Sequence, residues 1–183
     1  MGAILDIVGS LAIRGVILTM IISLIITLRD AEYERTSVAT TGQNLSVAAR
    51  VMERDLRYAG YNADTTITDI FLIADSQQVK FLGALTEFGA LDTISYRIGA
   101  NPNGEADSRV IARTINNGFP LYIANGPVSM KIMYYDSLGA STSTLSSIIS
   151  ISVLFSMKNN YPINDTSFAT INREILVFPI NLQ

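Results

Sequence analysis

The chain of 183 residues contains neither cysteine nor histidine. Disulfide bonds, cysteine nucleophiles, histidine general bases and the usual zinc sites are therefore excluded. Exported domains rich in β-sheet often depend on disulfides, so packing alone must hold this one together if it is exported. The length suggests a single domain with an appended element.

Charge is also scarce, because only 16% of the residues are charged while 49% are hydrophobic. The net charge of -3 and the isoelectric point of about 4.9 give no indication of a nucleic-acid partner. The sequence has no P-loop, no GxSxG motif and no pair of carboxylates in a context that suggests acid–base chemistry. We therefore expect a protein that is not an enzyme and that has no catalytic, cofactor or metal site.

The apolar residues are concentrated at the N-terminus. Only two charges, Asp6 and Arg14, interrupt the segment from Ile4 to Leu28. A helix of this length spans roughly 37 Å, which is enough to cross the core of a bilayer. The alternative is a cleaved signal peptide, but the start "MGAILD" has no basic residue and the apolar run is too long. Residues 1–28 are therefore predicted to be a retained membrane or filament-core helix.

Small residues recur at every fourth position of this helix, at Gly15, Thr19, Ser23 and Thr27. This spacing places them on one stripe of the helix surface. Such stripes let two membrane helices approach closely, although serine and threonine are also tolerated in membrane spans by chance. We predict that Gly15, Thr19 and Ser23 are assembly residues that face another helix.

The two charges in this apolar segment need a separate explanation. A charge near the centre of a membrane helix costs about 2.5–3.5 kcal/mol. Asp6 is near the helix end and can reach the interface, whereas Arg14 is almost halfway along the span. One interpretation is that Arg14 snorkels. The other is that both residues pair with neighbouring copies, because helices staggered by roughly 12 Å would bring Asp6 level with Arg14.

A helical pattern continues beyond the apolar segment, over residues 29–60, as the amphipathic half of a stem. Apolar and small residues follow a 4-3-4-3-4 spacing that marks one helix face: Val38, Gly42, Leu45, Ala49, Met52 and Leu56. Gly60 is well placed to end a helix that runs from about Ile4 to Ala59, and residues 40–42 are its weakest point.

The remaining residues, 61–183, are predicted to form an antiparallel β-sheet head domain. Alternating or short apolar runs indicate six strands, over residues 79–82, 93–98, 109–114, 128–135, 148–157 and 174–180, with turn signals at 101–104, 116–118 and 137–139. A helix covering one sheet face is an α+β arrangement. No further helix is predicted, so the cover must come from the apolar half of the stem, and we expect the packing residues to be Leu45, Ala49, Met52 and Leu56.

These segments together resemble the type IV pilin superfamily, in particular W-type minor pilins and J-type pseudopilins of type II secretion. The resemblance covers essentially the whole chain, and it is carried by the order and spacing of several runs. These are "MERDLRYAGY" (52–61), "VKF", "ISYRI", "RVIART", "MYYDSLG", "ISISVLFSM" and the terminal "INREILVFPINL" (171–182).

The N-terminus resembles the family in part. Family members carry a glutamate at the fifth residue of the mature chain and a glycine nine residues later. Removal of Met1 would place Asp6 and Gly15 at these positions, and the resemblance then implies that Asp6 neutralises the N-terminal amine of a neighbouring subunit. No long basic leader precedes this start, so either the leader lies outside this sequence or "MG" is all of it. The mid-helix proline of the family is missing, with Ser23 near its place, and Arg14 is not a family feature.

The resemblance implies a structural subunit of a type IV pilus-like extracellular filament. Its expected partners are further copies in a helical filament and the inner-membrane pilus assembly machinery. The chain would lie in the inner membrane before assembly and in a cell-surface filament afterwards. Two alternatives stay open: a minor pilin or pseudopilin that primes a pilus or a type II secretion pseudopilus, and a singly membrane-anchored periplasmic binding module.

Two sequons, at Asn44 and Asn164, matter only in a host that N-glycosylates proteins, and chance explains them better. The segment "NNYPINDT" (159–166) has oxygen ligands that suit calcium, but a polar loop is the preferred interpretation.

Overall fold

A computed structural model describes residues 2–64, 67, 69–85, 90–104, 108–159 and 168–182. For residues 3–6 it describes the backbone only. The described residues form one long helix and two antiparallel sheets, which confirms the predicted α+β fold. The elements are α1 (Gly2–Arg57), β1 (Phe71–Ala74), β2 (Gln78–Gly83), β3 (Asp92–Ala100), β4 (Arg109–Ile115), β5 (Leu121–Gly126), β6 (Val128–Tyr135), β7 (Ser150–Lys158) and β8 (Thr170–Val177).

The strands divide into a five-stranded sheet of order β1-β2-β3-β4-β5 and a three-stranded sheet of order β6-β7-β8. All neighbours pair antiparallel, and the chain passes from the first sheet to the second at Gly126 and Pro127. Gly126 has a φ of 129°, a backbone conformation that suits glycine. Both sheets contribute alternate residues to a single core cluster, so the head is built as two layers that share one interior.

Two strands, β1 and β5, are not predicted by the sequence pattern. β1 has four residues, and β5 exposes both Leu121 and Tyr122, so neither has the clear alternation of buried and exposed residues that reveals a strand. The last strand was predicted at 174–180 but spans Thr170–Val177. It ends before Pro179, which has no N–H group to donate to a sheet ladder.

The head packs on the upper part of α1. The four side chains expected to pack there are at most 1% exposed: Leu45, Ala49, Met52 and Leu56. They belong to the same core cluster as the sheet residues. The expectation that the apolar half of the stem provides the cover was wrong, because every side chain in residues 7–28 is exposed. The sheets begin to cover the helix only at about Thr41, which is 7% exposed.

The upper end of α1 is held by two other parts of the chain. The helix ends at Arg57, slightly before the predicted Ala59, and it runs unbroken through residues 40–42. Gly60 makes the left-handed turn at φ 77°. Its N–H donates to the Leu82 carbonyl oxygen at 2.8 Å, and its own carbonyl oxygen accepts from Asn181 Nδ2 at 2.8 Å.

The end of β2 lies directly against this turn, and we expect Gly83→Ala to destabilise the protein. A Cβ on Gly83 would collide with the Tyr58 carbonyl oxygen, a backbone atom that cannot rotate away. Overpacking of this kind costs roughly 1–3 kcal/mol of unfolding free energy. Urea titration of the purified chain in detergent measures the loss. Gly99→Ala is the control, because a Cβ there meets nothing within 4 Å in the described part of the chain. Equal stability of the two variants would refute the argument.

Candidate functional site

The lower part of α1 is an apolar rod with no cover from the rest of the described chain. Large side chains along it are about half to two thirds exposed, such as Leu11 at 63%, Leu18 at 59% and Met20 at 67%. Among the described residues, α1 is the one helix that is long and apolar enough to cross a membrane. Exposed apolar area of this extent is unfavourable in water, so this part of the helix requires lipid or protein around it.

The small-residue stripe lies on this exposed rod. The hydroxyl of Thr19 donates to the Gly15 carbonyl oxygen at 2.8 Å, and the hydroxyl of Thr27 donates to the Ser23 carbonyl oxygen at 3.0 Å. Because these two hydroxyls are satisfied within the helix, Thr19 and Thr27 can enter lipid or a protein interior without unpaired donors. The side chains around the stripe form a shallow groove along the helix, lined by Thr19, Met20, Ser23, Leu24 and Thr27.

The stripe faces the same side of the helix as the head domain. Thr27 precedes Leu45 by 18 residues, which is about five complete turns, and Leu45 is buried under the sheets. Ser23 precedes the buried Thr41 by the same interval. A second helix packed on the stripe would therefore lie below the head of the same chain.

Arg14 is exposed within this rod and has no acidic partner among the residues whose side chains the structure describes. The side chain of Asp6 lies outside the described residues, so its pairing with Arg14 or with a neighbouring amine stays a prediction. The structure places Arg14 on the same side of the helix as Arg50, which follows it by 36 residues or about ten turns.

A second polar site, which the sequence pattern did not predict, joins α1 to the five-stranded sheet. Asp55 is fully buried, and its Oδ2 accepts hydrogen bonds from Tyr96 Oη and from Arg113 Nε, each at 2.6 Å. Arg113 Nε also donates to Tyr96 Oη at 3.1 Å. Arg54 reaches Asp55 Oδ1 from the surface at 3.3 Å. The signal available in the sequence was a charged residue, Asp55, between Met52 and Leu56 on the apolar face.

The environment of this site sets the protonation of its side chains. Burial raises the pKa of Tyr96 far above its ordinary value, and the charge of Asp55 and its hydrogen bond raise it further. The phenol is therefore a hydrogen-bond donor at neutral pH. Burial by itself would lower the pKa of Arg113, but the hydrogen bond and charge of Asp55, together with Tyr96, raise it overall. The site contains a buried ion pair bridged by a tyrosine, an arrangement that locks α1 to β3 and β4.

The remaining candidate features are the two sequons, at Asn44 and Asn164, and the possible calcium segment, residues 159–166. Asn44 is exposed on α1, whereas Asn164 and most of the 159–166 segment lie outside the described residues. Asn159, at the start of that segment, is buried, and its amide nitrogen and oxygen have no hydrogen-bond partner. Within the described ranges, no three acidic side chains are grouped closely enough to hold a metal ion.

Comparison of the chain with protein-family models, with curated proteins and with solved structures finds no match. The architecture itself, one long apolar N-terminal helix packed on antiparallel sheet, is the general arrangement of pilins.

Proposed function

We propose that this protein is a structural subunit of a type IV pilus-like extracellular filament and that it assembles through its N-terminal helix. One observation carries the proposal: a single continuous helix, Gly2–Arg57, is buried in the head at its upper end and exposed and apolar over residues 7–28. A plain membrane anchor does not require a rigid connection of this kind. A filament subunit does require it. In a filament, the lower half of the helix would be fixed by packing in the core, and a rigid helix carries that position to the head.

The apolar rod needs a nonaqueous environment both before and after assembly. In the inner membrane that environment is lipid, and in the filament it is the helices of other copies. Lipid tails are as apolar as leucine, so the hydrophobic effect alone does not favour one state over the other. Close packing along the small-residue stripe favours the filament, and extraction from the membrane would be the task of inner-membrane assembly machinery. The sheet domain would form the outer surface of the filament.

The Gly15→Leu variant tests the proposal, and we expect it to abolish filaments. A Cβ at Gly15 meets nothing within 4 Å among the described residues. The larger side chain should therefore leave the fold intact and block only the approach of a second helix. Filaments sheared from producing cells are examined by electron microscopy, and the membrane fraction is probed for the variant. Gly15→Ala is the matched control, since alanine keeps the surface small and should leave filament yield near that of the parent.

Mass spectrometry of the sheared filaments distinguishes the alternatives. A main band composed of this chain supports the bulk subunit, whereas a trace amount indicates a minor pilin or pseudopilin that primes another filament. If the parent chain stays in the membrane fraction and no filament contains it, the protein is an anchored binding module and the proposal is wrong. Normal filaments from Gly15→Leu would show that the stripe is not a packing surface.

A further inference from the structure

Three charged residues form a line along the stem helix. Arg14, Glu32 and Arg50 are separated by 18 residues each, and 18 residues make about five complete turns. The three side chains therefore project from the same side of α1, at intervals of about 27 Å. All three are exposed. The order of charges along this line is positive, negative, positive.

This charge line faces away from the head domain. Near its upper end, Arg50 and its neighbour Arg54, one turn on, are exposed, whereas Ala49 and Met52 are completely buried under the sheets. In a filament whose heads lie outside, this side of every helix faces the common axis. The line is thus the part of the helix where charges from different copies would converge.

No residue of the charge line forms an ion pair with another residue that the structure describes. The ion pairs among the described residues are Arg54–Asp55, Arg57–Glu53 and Arg113–Asp55, and none of them includes a member of the line. The line also differs from the ordinary surface of a soluble helix. Arg14 lies within the apolar segment, where a charge without a partner is costly.

If a second, parallel copy is shifted by 18 residues along the helix axis, its charges come level with charges of opposite sign on the first copy. Arg14 of the raised copy then lies level with Glu32 of the lower copy, and Glu32 of the raised copy lies level with Arg50 of the lower copy. The same shift also brings Arg35 level with Glu53 and places no two like charges of the stem at one level. A shift of eight residues aligns only Asp6 with Arg14, and unshifted copies place every charge beside its like.

We propose that assembled copies of this chain run parallel with a stagger of 18 residues, about 27 Å, set by Arg14, Glu32 and Arg50 at the filament axis. This inference rests on the proposed filament function. It specifies a second contact face, on the side of the helix opposite the small-residue stripe, and the register of the copies that meet there. Each Glu32 accepts hydrogen bonds from Arg14 of the copy above and from Arg50 of the copy below, which the two oxygens of a carboxylate allow. Copies at the same height in the bilayer cannot form these pairs. Arg14 therefore meets the Glu32 carboxylate of another copy only when its own copy has risen from the membrane.

Charge reversals test the pairing in the full chain. Arg14→Glu and Glu32→Arg should each lower the yield of sheared filaments by about tenfold or more, because like charges then meet at the axis. The triple variant Arg14→Glu, Glu32→Arg, Arg50→Glu restores opposite charges at every level and should recover most of the yield. Arg14→Glu with Arg50→Glu is the matched control, and it should assemble no better than the single variants.

Introduced cysteines test the register, since the chain has none of its own. Leu18 and Thr36 are 18 residues apart beside the charge line, so the double variant Leu18→Cys, Thr36→Cys should form a ladder of disulfide-linked oligomers in oxidised filaments. Leu18→Cys with Gln43→Cys is the control, because Gln43 lies about seven turns from Leu18 on the same side but at another level. Each single variant should give no species larger than a dimer.

The outcomes separate this inference from the function on which it rests. If the parent forms filaments but the triple variant stays defective, or if only the control cysteine pair yields a ladder, the register is wrong and the filament function stands. Rescue by an Asp6→Arg, Arg14→Asp exchange instead would assign Arg14 to the eight-residue stagger and overturn the proposal. If Arg14→Glu mainly reduces the amount of chain in the membrane, Arg14 binds lipid phosphate and the proposal again fails. Absence of filaments from the parent overturns both.

Discussion

Replacing Asp55 with alanine should lower the free energy of unfolding by about 3–5 kcal/mol. The carboxylate is fully buried, and its removal leaves the guanidinium of Arg113 without its counter-charge, with a side chain only 11% exposed. The hydroxyl of Tyr96 also loses its acceptor inside the core. Urea titration of the full chain in detergent, followed by the near-ultraviolet circular dichroism of the tyrosines, measures the change.

Glu53→Ala is the matched control for Asp55→Ala. Glu53 pairs with Arg57 at 2.8 Å on the same helix, but the Arg57 side chain is 58% exposed, so loss of this pair should cost less than about 1 kcal/mol. The double variant Asp55→Ala, Arg113→Leu should recover part of the loss, because it leaves no buried charge unpaired. If the two single alanine variants are equally stable, the buried network contributes no more than a surface ion pair.

Met52→Asp should prevent the head domain from folding. Met52 is completely buried in the core cluster between α1 and the sheets. Loss of its packing alone costs about 2–5 kcal/mol, and an aspartate there would also be a buried charge without a partner. A domain with a typical stability of roughly 5–15 kcal/mol does not tolerate both losses at 37 °C. We expect loss of the near-ultraviolet signal and rapid proteolysis of the head, with the chain still inserted in membranes.

Val47→Asp introduces the same charge five positions earlier on the same helix. Val47 is 53% exposed, so this control should change the stability by no more than roughly 0.5 kcal/mol. Limited proteolysis of the two variants and the parent, side by side, makes the comparison. A Met52→Asp head as resistant as the parent would show that the helix is not part of the core.

The pattern of the sequence was sufficient for the elements whose residues repeat with a clear period. The stem helix was predicted from its apolar run and its 4-3-4-3-4 spacing, and β6 was predicted with its exact bounds, because Val128, Met130, Ile132 and Tyr134 alternate with more exposed residues. Edge strands β1 and β5 lack that alternation, since one or both of their faces stay in contact with solvent. Their strand conformation comes from pairing with β2 and β4, which no local pattern reports.

The buried ion pair shows the same limit for polar residues. Asp55 is 41 residues from Tyr96 and 58 residues from Arg113 in the chain, and only the folded sheets bring them together. A single sequence shows a charge on an apolar helix face but not the groups that neutralise it. The division into two sheets could likewise not be predicted from the sequence, because a turn at Gly126 and Pro127 does not by itself show which strands pair.

The sequence by itself determined the long stem helix, its apolar lower half and the antiparallel α+β class, because these depend on local periodicity and on the hydrophobicity of each residue. It also determined the spacing of Arg14, Glu32 and Arg50. Only the tertiary structure decided how the strands divide into two sheets and which groups neutralise the buried Asp55. Both depend on contacts between residues far apart in the chain, where the packing of buried side chains selects one arrangement among many compatible with the same local pattern.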